Sequence, residues 1–123
     1  MKAKLEIMLE HPVMFLSDPY ADDFAPLDIR DKSVAYAEGC IAVKVGAYFD
    51  GGADITISSE KHHSGDLSNF NGTIAIKSGV ISVSDSGRFN YLMLPVGSSQ
   101  VDVEVWNLHD DSVWIRISPL VEY

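Results

Sequence analysis

Apolar and polar residues alternate with a period of two along most of this chain, the pattern of strands whose two faces meet different surroundings. Val101, Val103 and Val105, for example, alternate with Asp102 and Glu104. β-branched residues, which favour strands, fill many of the apolar positions. The apolar runs lie at residues 5–9, 11–16, 41–49, 55–57, 74–76, 81–83, 89–96, 101–105 and 113–117. This spacing predicts eight or nine strands.

Turn-forming residues separate these runs, among them Asp50-Gly51-Gly52, Asn71-Gly72 and Ser86-Gly87. The intervals are too short for crossover helices, so we expect consecutive strands to pair antiparallel. We therefore predict an all-β fold, an antiparallel two-sheet β-sandwich, and keep a closed barrel as the alternative. We also expect the run at 89–96, which is nearly all apolar, to be covered on both faces.

One stretch, residues 18–38, lacks the alternation and contains Pro19 and Pro26. Asp28 and Asp31 are suited to cap a short helix over residues 29–37, which Gly39 would end. We therefore expect a long connection that contains one short helix. Long connections on rigid β scaffolds often carry function.

The length and charge of the chain limit what it can be. A chain of 123 residues suffices for one core, so we expect residues 1–123 to form a single β-sandwich domain. The net charge of −9 argues against direct binding to nucleic acid or to an anionic membrane. Glu6 and Glu10 interrupt the region where a signal peptide needs an apolar core, and no run reaches the ~20 apolar residues of a membrane span. We expect a cytoplasmic protein.

The sequence shows no catalytic pattern. It has no Gly-x-Ser-x-Gly nucleophile motif, and Cys40 at a strand start is typical of a buried thiol. His62, His63 and Asp66 come nearest to a metal site, but adjacent histidines on an extended segment point to opposite sides. We expect no enzymatic activity, cofactor or metal. The alternative is a small β-barrel enzyme or ligand carrier that uses these three residues.

Nine of the eighteen acidic residues lie in two stretches. The first holds Asp18, Asp22, Asp23, Asp28 and Asp31 against Arg30; the second holds Asp102, Glu104, Asp110 and Asp111 with no base. Three interpretations compete: a solvated surface that maintains solubility, a calcium site, and a docking surface for a basic partner. The calcium interpretation corresponds to a calcium-dependent carbohydrate-binding β-sandwich module, with Trp106, Tyr48 and Tyr20 as stacking platforms.

Trp106 favours the docking surface. It shares one side of its strand with Asp102 and Glu104, opposite the valines. If the valines face the core, Trp106 stands exposed among carboxylates, which is the composition of a binding hot spot. The alternative is that Trp106 covers a second sheet or a loop, because large aromatic residues also dominate cores. A basic partner would be attracted by the acidic charge, and a nuclease must carry positive charge where it holds phosphate.

Several segments resemble those of a known protein family. They are His-x-x-x-Phe at residues 11–15, Ala-x-Ala-Glu-Gly-x-Ile at 35–41, the series at 72–83, Phe89 to Leu94, Pro95-Val-Gly and Val101 to Trp106. In this order they resemble the competence protein J family of DNA-entry nuclease inhibitors, over residues 10–107. The chain is also similar to all-β immunity proteins that guard bacteria against contact-delivered toxins. These resemblances imply a β fold and nuclease inhibition, and they assign no site residue.

We therefore predict an immunity-type inhibitor that binds a cognate toxin nuclease, a DNase or an RNase, and caps its basic active-site region with an acidic surface. The partner is a basic protein. Trp106 is the predicted apolar anchor, and the predicted contact carboxylates form two edges. The first edge is Asp102, Glu104, Asp110 and Asp111, and the second is Asp22, Asp23, Asp28 and Asp31.

Overall fold

The computed structural model describes residues 2–7, 13–20, 33–37, 39–45, 52–62, 67–85, 89–109 and 112–121. These residues form ten strands and no helix. The strands are β1 (Lys2–Ile7), β2 (Val13–Ser17), β3 (Val34–Ala37), β4 (Cys40–Lys44), β5 (Ala53–Ser58), β6 (Phe70–Ala75), β7 (Val80–Ser84), β8 (Asn90–Pro95), β9 (Gln100–His109) and β10 (Ser112–Ser118). Accordingly, no helix capable of crossing a membrane occurs among the described residues.

The strands form two five-stranded sheets in a sandwich-like arrangement, as the alternation predicts. The first sheet has the order β1-β5-β10-β9-β6, and the second has the order β3-β4-β2-β7-β8. Neighbouring strands are antiparallel except β5 and β10, which run parallel. Three of the nine consecutive pairs of described strands, β3–β4, β7–β8 and β9–β10, are antiparallel neighbours as predicted. The prediction is wrong for the other six pairs, which lie in different sheets or have other strands between them.

Strand β3 corrects the predicted helix over residues 29–37. Residues 34–37 are extended and pair antiparallel with β4, Val34 opposite Val43 and Ala37 opposite Cys40. The capping signals at Asp28 and Asp31 are local, whereas pairing with β4 satisfies the backbone of this segment through a partner strand. Residues 29–32 of the predicted helix lie outside the described part of the chain.

The core lies between the sheets and consists of the inward residues of the alternating runs. Val101, Val103 and Val105 of β9 are fully buried, and Val113, Ile115 and Ile117 of β10 are buried beside them. The second sheet adds a matching set, which consists of Met14, Leu16, Ile41, Val43, Ile81, Val83 and Leu94. The valines of β9 therefore face the core, as predicted.

Strand β8 differs from its prediction. The run at 89–96 was expected to be covered on both faces, but β8 forms an edge of the second sheet and pairs with β7 alone. Only Leu94 of this strand is buried, and Met93 is exposed. Its apolar composition therefore does not mark a central strand.

Part of the connection between β5 and β6 packs on the outer face of the first sheet. Strands β10 and β9 lie between β5 and β6, so residues 59–69 must pass three strand spacings, about 14 Å. The core fills the inner side of the sheet. Contacts of Glu60 and His62 with side chains of β10 show that the connection starts across the outer face.

Candidate partner-binding surface

The outer face of β9 and β10 holds three of the predicted contact residues. The register places Trp106 opposite Trp114, Glu104 opposite Arg116, and Asp102 opposite Ser118. On the other side of β9, Glu104 faces Asn71 and Asp102 faces Thr73 of β6. All these side chains point away from the core, because residues that alternate with them, such as Val103, Ile115 and Ile74, are buried in it.

Trp106 is not the exposed anchor that the alternation predicts, since only 3% of its surface is accessible. The imidazole of His62 lies with its ring centroid 6.4 Å from that of Trp106 and 5.2 Å from that of Trp114, edge-on to the latter. The crossing connection thus covers this part of the outer face. The prediction of exposure failed because the alternation identifies the side of a strand and does not reveal a covering segment.

Trp114 ties the same connection to the sheet. Its indole Nε1 donates a hydrogen bond to the backbone oxygen of Glu60 at 3.0 Å. The ammonium of Lys2 lies 4.9 Å from the centroid of the Trp114 ring, a cation–π contact. Trp106, Trp114 and His62 therefore form an aromatic cluster between the sheet and residues 59–62.

Glu104 is also buried, with 7% of its surface accessible, and it pairs with a base of the same chain. The Nε of Arg116 donates to its Oε1 at 3.2 Å. The two residues lie directly opposite each other on antiparallel strands, which explains the pairing. Glu104 therefore does not present free negative charge, contrary to the prediction.

Asp102 keeps the exposed position that was predicted. Its Oδ1 accepts a hydrogen bond from the hydroxyl of Thr73 at 3.0 Å. The remaining predicted carboxylates fall outside the described residues. They are Asp22, Asp23, Asp28, Asp31, Asp110 and Asp111.

Most of the excess negative charge belongs to the chain segments that join the strands. The described residues carry seven Asp or Glu and six Lys or Arg, a net charge of −1, against −9 for the whole chain. Eight of the nine excess charges thus lie outside the described residues. The β framework is close to neutral.

Sequence analysis missed the role of Asp18, which is buried at the end of β2. Its Oδ2 accepts hydrogen bonds from the backbone N–H groups of Lys77 and Ser78, both at 2.9 Å. Its Oδ1 accepts from the Ser78 hydroxyl at 2.6 Å and from the Tyr20 N–H at 2.9 Å. Burial raises the pKa of Asp18, but these hydrogen bonds together lower it below its ordinary value of 3.8. Asp18 is a structural carboxylate of the β6–β7 turn, where Gly79 has a φ of 81°.

Sequence analysis also missed a pair of neighbouring carboxylates. Glu6 of β1 and Asp54 of β5 are exposed and lie directly opposite each other. Like charges in this position repel, which disfavours the pairing unless a cation or solvent screens them. On its other side Asp54 faces Ser112, which Asp110 and Asp111 directly precede in the chain. Only the register of three strands brings Glu6 near Ser112, the start of β10.

The described residues contain no group of three His, Cys, Asp or Glu side chains that could hold a metal ion. His62 packs against the two tryptophans, while His63 and Asp66 lie outside the described part. Cys40 is buried, as predicted. Of the three suggested sugar-stacking platforms, Tyr20 is exposed, Trp106 is buried, and Tyr48 is outside the described residues.

Comparison with known proteins finds a likeness at the level of structure. No model of a known family matches the chain, and a search of the curated proteins finds no match. The chain is similar to the crystal structure of ComJ, inhibitor of the DNA degrading activity of NucA, from Bacillus subtilis. The two share 14% sequence identity with a TM-score of 0.63 over 95% of this chain and 93% of ComJ. This chain has a ComJ-like fold.

The ComJ-like fold agrees with the resemblance that the sequence motifs indicate. It extends across nearly the whole chain, beyond the residues 10–107 that carry the motifs. At 14% identity the likeness is one of fold. The contacts of individual side chains must therefore be argued from this structure alone.

Proposed function

We propose that this protein is a nuclease inhibitor, an immunity-type protein that neutralises a cognate toxin nuclease. The similarity in fold to ComJ, a nuclease inhibitor that matches this chain over nearly the whole length of both, is the main support for this proposal. The strongly acidic composition supports it, because a nuclease holds phosphate with positive charge. The partner is a basic protein, either a DNase or an RNase.

The acidic connections between the strands supply the attraction. Nine excess negative charges on a small body raise association rates toward a basic target by about ten- to a thousandfold. An exposed ion pair contributes only about 0–1 kcal/mol, so a few desolvated pairs must slow dissociation. Asp102 forms one candidate edge with Asp110 and Asp111, which directly precede β10 in the chain, and Asp22, Asp23, Asp28 and Asp31 form the other.

Glu104 and Trp106 take a different role in this proposal from the one that the sequence predicts. Arg116 neutralises the Glu104 carboxylate, and residues 59–62 cover Trp106. Both side chains therefore have structural roles. Glu104 links β9 to β10 through Arg116, and Trp106 packs against His62 of the connection after β5. Exposed Glu6 and Asp54 join the candidate contact carboxylates instead, and Asp54 lies opposite Ser112 at the start of β10.

The experiment measures nuclease activity in the presence of the purified protein. The proposed function predicts that a cognate nuclease is encoded beside this gene, and that nuclease and NucA of Bacillus subtilis serve as the two probes. We expect an equimolar amount of the protein to abolish DNA or RNA degradation by the neighbouring nuclease. Raising the salt concentration should slow the onset of inhibition, because screening weakens the attraction of exposed charges.

A charge-reversal variant tests the mechanism separately. Asp102→Lys should slow association. The control is Lys4→Glu, which reverses a charge in the opposite direction at an exposed residue of β1, on the far edge of the same sheet, and it should not slow association. If neither nuclease is inhibited by the parent protein, the proposed function is wrong. If inhibition is as fast with Asp102→Lys and does not depend on salt, the acidic capping mechanism is wrong and the inhibitor function remains.

A further inference from the structure

The two sheets have four edge strands, β1 and β6 in the first and β3 and β8 in the second. Unpaired backbone groups on such strands accept additional strands, and proteins usually block them with charge, short length or a covering group. Strand β1 carries exposed Lys2, Lys4 and Glu6. Strand β3 has four residues, and its Tyr36 hydroxyl donates to the backbone oxygen of Thr73 in β6 at 2.6 Å. Three of the four edges are therefore protected.

Within the described residues, the edge of β8 from Asn90 to Leu94 carries no charge, and the covering segment at residues 119–121 contacts only its far end, at Pro95 and beyond. The strand is six residues long. Met93 is 46% exposed, and Phe89, just before the strand, is 62% exposed. The Phe89 ring contacts the Tyr91 ring edge-on at 4.9 Å between centroids. An apolar surface thus lies beside an uncharged strand edge.

The hydrogen bonds around the end of β8 show which backbone groups face outward. The N–H of Val96 donates to Gly79 on the β7 side at 2.9 Å, whereas the carbonyl of Pro95 accepts from Val121 on the opposite side at 3.0 Å. Both polar groups of a residue in an antiparallel strand point the same way, and the direction alternates along the strand. The N–H and C=O of Met93, two residues before Pro95, therefore face away from β7.

This edge already holds an antiparallel segment at its far end. Val96 and Leu120 form an isolated antiparallel bridge, and the N–H of Gly97 donates to the carbonyl of Pro119 at 3.1 Å. The geometry of the edge is therefore compatible with the addition of an antiparallel strand. We propose that the outer edge of β8, from Asn90 to Leu94, binds an extended segment of the nuclease and adds it to the second sheet.

This inference rests on the proposed nuclease inhibition, and charge selects the occupant. Two copies of this chain each carry a net charge of −9, so self-pairing at this edge is opposed by repulsion, whereas a basic partner is attracted. The matching segment is extended, with uncharged apolar side chains at alternate positions to contact Phe89 and Met93. Backbone hydrogen bonds then supply affinity, and the alternate side chains supply specificity.

The test uses two substitutions at Met93 and one matched control. Met93→Pro removes an N–H that points away from β7 and so spares the ladder with that strand. Met93→Lys adds a charge to the edge. The control, Gly39→Lys, adds the same charge at an exposed position between β3 and β4, where an added Cβ meets no atom within 4 Å. Thermal unfolding shows whether each variant is folded.

We expect both Met93 variants to weaken binding to the neighbouring nuclease by about tenfold or more, and the control to change it by no more than about twofold. Hydrogen exchange on the parent protein provides a measurement that needs no variant. The amide of Met93 should become protected in the complex, because it then donates to the added strand.

Three results overturn the proposal in distinguishable ways. If the parent inhibits the nuclease while exchange at Met93 stays unchanged, or a folded Met93→Pro binds as tightly as the parent, the edge is not the contact and the inhibitor function stands. If the parent inhibits neither nuclease, the proposed function fails and the edge proposal fails with it. If the parent is a dimer that Met93→Lys converts to a monomer, the occupant of β8 is a second copy.

Discussion

The carboxylate of Asp18 and the hydroxyl of Ser78 lie 2.6 Å apart, although sixty positions separate them in the chain. The same carboxylate accepts two backbone N–H groups of the β6–β7 turn, so one side chain at the end of β2 fixes a turn between the two sheets. Charge-assisted hydrogen bonds of this kind are stronger than neutral ones.

Replacing Asp18 is therefore expected to destabilise the fold. Asp18→Ala leaves the N–H groups of Lys77, Ser78 and Tyr20 without their acceptor, and we expect the free energy of unfolding to fall by about 2–3 kcal/mol. Urea denaturation measures the change. Asp102→Ala is the matched control, because Asp102 is exposed and accepts one recorded hydrogen bond. An equal effect of the two substitutions would contradict the structural role of Asp18.

The lowered pKa of Asp18 predicts a particular dependence of stability on pH. Its pKa is below 3.8 in the folded protein, so the folded state favours the charged form more than the unfolded state does. This contribution is complete above pH 3.8 and is lost as the pH falls through the lowered pKa. The difference in unfolding free energy between the parent and Asp18→Asn should therefore shrink below that pH. Denaturation at a series of pH values tests this, and a constant difference down to pH ~2 would refute it.

The Glu104–Arg116 pair is expected to contribute to stability and not to partner recognition. Glu104→Gln leaves the guanidinium of a partly buried arginine without its carboxylate, at a cost of about 1–3 kcal/mol. Arg116→Met should cost a similar amount, and the double variant less than the sum, because the single variants each leave a partner unpaired. A double-mutant cycle by chemical denaturation measures the coupling. Strict additivity would show that the pair is not formed in solution.

Two variants that each remove one carboxylate separate stability from association. Glu104→Gln should lower the unfolding free energy but leave the association rate with the nuclease nearly unchanged, since Arg116 already neutralises this charge. Asp102→Asn should do the reverse, because Asp102 is exposed. Stopped-flow mixing at low salt gives the rates. If Glu104→Gln instead slowed association and Asp102→Asn did not, Glu104 would be a contact residue for the nuclease.

The tryptophans should report the covering of the outer face. In Trp114→Phe the remaining indole, Trp106, is 3% exposed and should resist quenching by acrylamide. In Trp106→Phe the remaining indole, Trp114, is less buried and should be quenched more readily. Fluorescence titration of the two folded variants compares them. Equal quenching would mean that residues 59–62 do not cover Trp106 in solution.

Much of the fold was predictable, because the side of a strand that a residue occupies depends on its neighbours in the chain. The alternation at Val101, Val103 and Val105 correctly assigned these residues to the core, and a two-sheet sandwich followed from the number of such runs. The strand at residues 34–37 was missed, because its four residues are too few for periodicity to outweigh nearby helix-capping signals.

The candidate site was less predictable, and Trp106 shows why. Its position opposite the valines follows from local geometry, but its burial depends on His62, which lies in the connection after β5 and contacts the Trp106 ring. Glu104 shows the same dependence, because its neutralisation requires Arg116 on the adjacent strand in one register. An acidic residue at an outward position therefore need not be available to a partner.

Local chemistry thus established nine of the ten described strands, their inward faces and the acidic character of this protein, since each depends on residues within a short segment. Tertiary structure alone decided the neighbours of each strand, the burial of Trp106, the pairing of Glu104 with Arg116 and the exposed edge of β8. The reason is that strand order and register join residues far apart in the chain, and a single strand's alternation carries no record of its partners.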